Sequence, residues 1–403
     1  MKVTPDQRSQ EIARVLRSNL PTLTKSEARL SSEWLIGIIF LSQCGLTAIS
    51  TAIAMVCSQK PDTVRQRLRE LYQPSTQKRG HKRRVLRVSR CFKDLLRWII
   101  RLWDGKHICI ALDAVFSNDN LVVLCYSVLY RGCAIPFSWK VLRANRKGAH
   151  LPAILTMLRR FKGIIPPSIT VLFLSDRGLW SPELFHAVRS IAWHPMMRVQ
   201  SGSYFRAKRL SKEHEQAAWK KLNTLIVEGQ DAIALRGDLF KTHSLPVTLL
   251  ACWEKGHKEP WFIASDLPPS QCTAPWYGLR MWIEQGFKTV KSAGCDWEHS
   301  RITDPDRAER MWLVYALAAL WFHAIATIIE VKPQEITSAF PKQMHVALKA
   351  IAEERQKKRP RTVRLYWLGQ VMMLMIMFFH HPLIIPSMLV PEPLPKPHKG
   401  SLP

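Results

Sequence analysis

The sequence has 403 residues, of which 47% are apolar, so it can form sizeable folded cores, and its length predicts two to three domains. Its formal net charge is +28, from 59 Lys and Arg against 31 Asp and Glu. Such an excess favours nucleic acid as the partner over an anionic membrane surface or a ribosomal or packaging role. The polar N-terminus predicts no secretory signal.

Cysteine and histidine show no metal-binding pattern. The nine cysteines form no CxxC pair, and the 14 histidines have no ligand-like spacing to them. We therefore expect buried, reduced thiols and no structural zinc site. The apolar segment 365–379 is about 15 residues long, shorter than the roughly 20 that span a membrane. It predicts a buried C-terminal helix, with membrane contact as the weaker alternative.

Residues 1–104 predict a helical, basic DNA-binding domain. Within it, helices at 46–56 and 61–72 have the arrangement of a helix-turn-helix. The second helix carries three arginines suited to groove and phosphate contacts: Arg65, Arg67 and Arg69. The alternative is an ordinary pair of packed helices with a solvated basic face.

The pattern changes to an α/β sheet after residue 104. Strands are predicted at 107–116, 121–130, 133–141, 169–174 and 195–200, and helices at 149–162 and 182–191. Three hairpin-linked strands followed by an alternating portion indicate an RNase H-like mixed sheet. Further strands at 225–235, 245–253 and 260–264 predict a β-strand insertion.

Five parts follow along the chain. They are the helical basic domain (1–104), the first part of the RNase H-like core (105–200), the β-strand insertion (201–270), the second part of the core (271–330) and a helical C-terminal region with a Pro-rich tail (331–403). The second part of the core includes a helix at 305–330 with Asp304 as its N-cap. We expect the tail from residue 391 onward to be disordered.

Two aspartates follow apolar strands of the predicted core. Asp113 and Asp176 each occupy a predicted strand end, where side chains of an α/β sheet point into a solvent-accessible crevice. Together with a third carboxylate they would make an oxygen-rich site for Mg²⁺ or Mn²⁺. Taken singly, either residue is better explained by ordinary turn chemistry, because strand ends are rich in Asp.

The third carboxylate is Glu284, on a predicted amphipathic helix at 276–291. At about 100° per residue, one face of this helix carries a phenol and four charged side chains. These residues are Tyr277, Arg280, Glu284, Lys288 and Lys291. The face could place Glu284 on a metal ion while the cations hold phosphates. The alternative is a solvated face with ion pairs such as Glu284 with Lys288.

The spacing Tyr277, Arg280, Glu284, Lys291 resembles the YREK signature of bacterial transposases of the insertion-sequence IS-four family. The similarity extends over roughly residues 105–330. It implies an RNase H-like core in which Asp113, Asp176 and Glu284 form a DDE triad that holds the metal ions. It also implies that Tyr277, Arg280 and Lys291 bind DNA phosphates near the cut.

Further properties follow from this resemblance. The enzyme would bind double-stranded DNA at the ends of a mobile element, cut it and join it to target DNA, using two Mg²⁺ or Mn²⁺ ions. It would act in the bacterial cytoplasm, at the nucleoid, as a homodimer that pairs the two ends, without a membrane. Some members stack a flipped base on a tryptophan, for which Trp253, Trp261 and Trp282 are candidates here.

The first carboxylate departs from the family pattern. The context Leu112-Asp113-Ala114-Val115 lacks the Asp-Thr or Asp-Gly-Thr often found there, and Asp119 is a competing candidate. The remaining alternatives are another RNase H-fold nuclease or integrase, an inactive DNA-binding protein, and, more distantly, a basic membrane-associated protein.

Overall fold

The computed structural model describes residues 5–78, 84–117, 120–144, 148–208, 218–332, 334, 350 and 365–396. Its N-terminal part is helical, with α1 (Pro5–Asn19), α2 (Lys25–Leu41), α3 (Leu46–Val56), α4 (Pro61–Arg69) and α5 (Phe92–Leu102). A capping box starts α2, because the Thr24 hydroxyl accepts from the Glu27 amide and the Glu27 carboxylate accepts from the Thr24 amide.

In the described ranges, ten strands form one continuous sheet. They are β1 (His107–Ser117), β2 (Leu121–Tyr130), β3 (Cys133–Arg143), β4 (Thr170–Ser175), β5 (His194–Arg198), β6 (Tyr204–Ala207), β7 (Lys220–Lys221), β8 (Ile233–Leu239), β9 (Leu245–Cys252) and β10 (Trp261–Ser265). Their order across the sheet is β3-β2-β1-β4-β5-β10-β9-β8-β6-β7.

The first five strands make the core. β1 runs antiparallel to β2 and parallel to β4, and β4 runs parallel to β5. The central strands are apolar runs because helices cover both faces. This mixed sheet with flanking helices is consistent with the RNase H-like fold that the sequence predicts, and the prediction of the fold class is confirmed.

The insertion strands extend this same sheet. β10 pairs antiparallel with β5, and β9 and β8 follow outward. The strand predicted at 225–235 is wrong, because Gly229 adopts φ +77 in a turn and Val227 is 68% exposed. The strand begins only after that turn, at Ile233.

Six further helices are described. They are α6 (His150–Leu158), α7 (Pro182–Ser190), α8 (Ala274–Gly278), α9 (Met281–Lys288), α10 (Pro305–Val331) and α11 (Leu365–Phe378). The Asp304 side chain caps α10 by accepting from the Arg307 amide, as predicted. By length and composition α10 could span a membrane, yet its apolar window is entirely buried inside the protein. It packs on β3, α2 and α11.

Two predictions about the chain outside the sheet are wrong. The tail packs on the protein as far as Pro395, because Leu389 exchanges backbone hydrogen bonds with Leu102 and Asp104, and the Trp276 indole donates to the Pro395 carbonyl. Residues 397–403 lie outside the described ranges. The structure also joins two of the predicted thiols in a disulfide, Cys44–Cys295, and the other seven cysteines form no disulfide.

Candidate active site

The register of the two central parallel strands brings Asp113 and Asp176 side by side. Leu112 pairs with Ser175, so Asp113 and Asp176 are the next residues on neighbouring strands, which lie about 4.8 Å apart. The prediction that Asp113 lies at the end of its strand is wrong, because β1 continues to Ser117 in pairing with β2. The crevice opens because β4 stops first. Asp119 lies outside the described residues.

The predicted helix at 276–291 is broken into α8, α9 and a π-helical turn, Thr289–Ala293. Between α8 and α9 the amides of Arg280 and Ile283 bond to carbonyls three residues back rather than four. The break follows Gly278, and glycine has the least favourable helix propensity after proline. The local tightening turns Tyr277 inward.

Arg280 connects the helical and strand carboxylates. Its Nη1 lies 2.9 Å from Asp113 Oδ2, and its Nη2 lies 3.2 Å from Glu284 Oε1. The side chains of Arg280 and Asp113 are only 12% and 16% exposed, whereas Glu284 is 41% exposed. The charges on this helix face therefore meet the sheet, and the alternative of a merely solvated face does not describe them.

Burial and charge act in opposite directions within this cluster. Burial raises the pKa of Asp113, Arg280 and the Ala114 amide lower it, and the charges of Asp176 and Glu284 raise it, with a net increase. Burial would lower the pKa of Arg280, but Tyr277 and all three carboxylates raise it. The guanidinium therefore remains charged. Asp176 lies close enough to change the pKa of both Asp113 and Arg280.

Tyr277 is buried beneath the cluster. Its hydroxyl donates to the carbonyl of Ser175, the residue before Asp176, at 3.2 Å. Burial raises the pKa of this phenol, which keeps it protonated and able to donate. The ring of Trp261 meets it edge to face, with 5.3 Å between centroids. Tyr277 thus ties α8 to the end of β4.

Exposure increases along the predicted face away from Tyr277. Lys288 is exposed at the end of α9, and Lys291 is half-buried in the π-helical turn. Gly286, on the opposite side of α9, approaches the start of β3 so closely that an added Cβ would lie 2.9 Å from Ala134 Cβ. This close packing sets the height of Glu284 over the sheet.

The donor set suits a hard divalent cation, but its arrangement differs from a metal centre. Three carboxylates border one crevice, and carboxylate oxygens are the ligands that Mg²⁺ and Mn²⁺ prefer. Within the described residues, no group of three or more His, Cys, Asp or Glu side chains is placed to hold an ion together. Arg280 occupies the position between two of the three carboxylates.

The arginines of α4 differ from one another in environment. Arg65 is exposed, whereas Arg67 pairs with the buried Glu33 at 2.8 Å and donates to Gln59. The side chain of Arg69 hydrogen-bonds to the Tyr72 hydroxyl. Arg65 is therefore the best placed of the three for an outside partner, and Arg67 holds α4 on α2.

Sequence reasoning missed one ion-pair group beside the site. Glu259, in the turn before β10, lies 2.7 Å from Arg177 and 2.9 Å from Arg198, and these arginines lower its pKa. Arg177 directly follows Asp176, and that adjacency was a usable signal. Arg198 gave none, because only sheet pairing brings β5 next to β10.

The three candidate tryptophans occupy different places. Trp261 contacts Tyr277 and so lies at the site. Trp253 donates to the His257 carbonyl near the same turn. Trp282 lines a cavity of about 190 Å³ between the sheet and the C-terminal tail.

Comparison with known proteins gives an independent indication. Residues 136–321, just under half of the chain, match the family described as Transposase DDE domain. The match includes Asp176, Glu284 and the signature residues, and it begins after Asp113. No curated protein matches the chain. The RNase H-like sheet, the clustered carboxylates and this match together support a DDE transposase, the class of enzyme that carries out transposition by DNA recombination.

Proposed function

We propose that this chain is an active transposase of the YREK type, in the IS-four family, which binds the ends of its element, cuts the DNA and joins it to a target. The observation that carries the proposal is the charge cluster in which Arg280 joins Asp113 on β1 to Glu284 on α9, with Asp176 beside them. Metal-assisted phosphoryl transfer needs carboxylates that hold the ions and a cation that stabilises the charge on the phosphate, and both kinds of side chain lie at this crevice.

Asp113, Asp176 and Glu284 would hold Mg²⁺ or Mn²⁺, two ions in the proposal. Bound ions would activate a water or 3′ hydroxyl nucleophile and stabilise the leaving 3′ oxygen. Arg280 provides two N–H groups in a planar fork, which suits the oxygens of one phosphate. Lys288 and Lys291 continue this positive charge toward solvent.

Tyr277 has a positioning role in this proposal. Its hydroxyl fixes the backbone at Ser175 and so the direction in which Asp176 leaves β4. The rigid strand and the buried helix together keep the carboxylates in place before DNA arrives, which is the condition for effective electrostatic catalysis.

The N-terminal helices supply the second DNA contact of the proposal. Arg65 and Arg69 on α4 would meet phosphates or base edges, with α4 as the recognition helix of the predicted helix-turn-helix. We further propose a homodimer that pairs the two element ends in the cytoplasm, where transposases typically act. The net charge of +28 favours association with DNA.

Cleavage of a labelled DNA fragment that carries the element's ends, with Mg²⁺ or Mn²⁺, tests the proposal. We expect cuts at the ends for the wild type and none for Glu284→Gln, with DNA binding retained. Glu183→Gln, at an exposed position of α7, is the matched control and should cut normally.

Other outcomes select other functions. Binding without metal-dependent cutting would indicate an inactive DNA-binding protein. Cuts that are not specific to the ends would indicate a general nuclease or an integrase of the same fold. Cutting that ignores Glu284→Gln would show that the triad is misassigned.

A further inference from the structure

Arg280 holds two of the three carboxylates with the two branches of one guanidinium. Nη1 serves Asp113 and Nη2 serves Glu284, at 2.9 and 3.2 Å. One oxygen of each carboxylate is therefore committed to this side chain. The position between the carboxylates, which a divalent ion would need, is held by a protein cation.

The positive charge of Arg280 offsets part of the negative charge of the carboxylates without a bound ion. Three neighbouring carboxylates repel one another, and a cation between them removes much of that cost. Arg280 supplies this charge from within the chain and is largely buried there. A divalent ion that enters without DNA must therefore displace the guanidinium from Asp113 and Glu284 and separate that positive charge from its two ion-pair partners.

The guanidinium also has a route outward. Its Nη2 lies 3.7 Å from the sulfur of Met281, whose side chain is 47% exposed. The backbone beneath it is fixed, because the Arg280 amide bonds to the Tyr277 carbonyl and Tyr277 is tied to β4. The side chain can thus turn toward solvent while α8 and α9 stay in place.

We propose that Arg280 is an internal substitute cation that keeps the carboxylates occupied until a DNA phosphate withdraws it, so that divalent-ion binding is coupled to DNA binding. The inference rests on the proposed function and adds its regulation. A phosphate offers the fork two oxygens and so replaces the two carboxylates that it gives up. By linkage, DNA raises the affinity for the ion and the ion raises the affinity for DNA by the same factor.

Such coupling would restrain cutting by the free protein. The carboxylates become available to the ion only after a phosphate has bound at Arg280. Because a phosphate contact is independent of sequence, duplex DNA of any sequence is sufficient to test the coupling at low salt.

Binding of Mn²⁺ to the full chain tests the proposal without any catalysis. The binding is measured as the loss of the electron paramagnetic resonance signal of the free ion. For the wild type we expect weak binding that a 20-mer duplex strengthens roughly 5- to 150-fold, the usual range of coupling between sites. Arg280→Gln should bind Mn²⁺ tightly without DNA, and DNA should add little.

Three controls fix the interpretation. Arg159→Gln removes an equal charge from the exposed end of α6 and should behave as the wild type does. Arg280→Gln combined with Glu284→Gln should lose the tight binding, which locates it at the carboxylates. Thermal unfolding of each variant detects a failure to fold. The comparison of Mn²⁺ binding by the wild type with and without DNA tests the coupling even if a variant does not fold.

The outcomes separate this inference from the proposed function. Tight Mn²⁺ binding by the DNA-free wild type that Glu284→Gln abolishes would overturn the coupling and leave the function intact. An Arg280→Gln protein that binds no better than Arg159→Gln, with no effect of DNA on the wild type, would also overturn it. Absence of Mn²⁺ binding in every protein, with or without DNA, would overturn both.

Discussion

Tyr277 is an uncharged donor that lies beside the charged side chains of Arg280 and Asp176. Burial raises its pKa, so the phenol remains protonated, and its hydrogen bond reaches the backbone just before Asp176. Nothing places it on the reacting atoms. Tyr277 therefore affects the reaction by fixing the position of Asp176.

Tyr277→Phe should separate this positioning role from a structural one. Loss of one hydrogen bond should lower the free energy of unfolding by about 1 kcal/mol. Cleavage should fall by roughly tenfold, equivalent to about 1.4 kcal/mol in the barrier. Urea denaturation and single-turnover cleavage measure the two effects. Tyr126→Phe removes a comparable bond, to the Ile154 carbonyl on α6, and should lower stability alone; equal cleavage by both variants would refute the role.

His194 provides a pH-dependent contribution to stability. Its ring nitrogen lies 3.1 Å from Asp266, and this hydrogen bond raises the pKa of His194. Because the folded-state pKa lies above the unfolded value, the stabilisation is complete below about pH 6.5 and is lost as pH rises through the folded pKa. The pair is partly exposed, so we expect less than about 1 kcal/mol.

Urea denaturation between pH 5.5 and 8.5 measures this contribution. His194→Gln should remove the part of the pH dependence that arises from the pair. His107→Gln, at an exposed position of β1, should retain it. Parallel pH curves for His194→Gln and the wild type would show that the pair does not contribute.

At the scale of elements, α9 determines where Glu284 lies. The helix rests on the start of β3 through Gly286, and the Tyr315 hydroxyl of α10 donates to the Gly286 carbonyl. The backbone at Ala134 carries the opposing Cβ, and no side-chain rotation can move it. The seat of α9 is therefore rigid.

Gly286→Ala should raise α9 from the sheet and impair cutting. The clash with Ala134 costs about 1–3 kcal/mol, which outweighs the gain of about 1 kcal/mol in helix propensity. Gly278→Ala is the matched control, since its Cβ would meet nothing within 4 Å. Thermal unfolding and cleavage assays measure both. Adding Ala134→Gly to the Gly286→Ala protein should restore its stability and its cleavage activity. A double variant that is as impaired as Gly286→Ala alone would exclude the contact with Ala134 as the cause.

At the scale of the molecule, distant segments meet around the catalytic helices. The disulfide links the α2–α3 connection to the segment after the π-helical turn, and the two cysteines are separated by 251 positions in the sequence. The C-terminal tail crosses from α11 to the indole of Trp276 on α8. The N-terminal helices and the tail thus both fix the elements that carry the signature residues.

Alkylation under denaturing conditions should detect the disulfide. Seven cysteines should react without reductant and nine after reduction, as counted by mass spectrometry. Reduction should lower the free energy of unfolding by about 2–4 kcal/mol. The double variant Cys44→Ser, Cys295→Ser should not respond to reductant, and nine reactive thiols without reduction would contradict the pairing.

Much of the fold was predictable from local pattern. The bounds of α3 and β2 agree with the sequence to the residue, because apolar periodicity and turn residues are local properties. The helix break after Gly278 was not predictable, because it depends on the burial of Tyr277 against β4. The strand at 225–235 failed because its apolar residues lie on both sides of a turn at Gly229.

Local sequence pattern is enough to identify most of the sheet-forming segments, the basic character of the chain and the candidate residues Asp113, Asp176, Glu284, Tyr277, Arg280, Lys288 and Lys291. The ion pairs that join Asp113 and Glu284 through Arg280 arise from the folded chain, because the first of these pairs spans 167 positions of sequence. The tertiary structure also decided the disulfide and the path of the tail. Residue identities and periodicities are local, whereas contacts between distant segments depend on which strands become neighbours and on how helices pack over them, and a local pattern specifies neither.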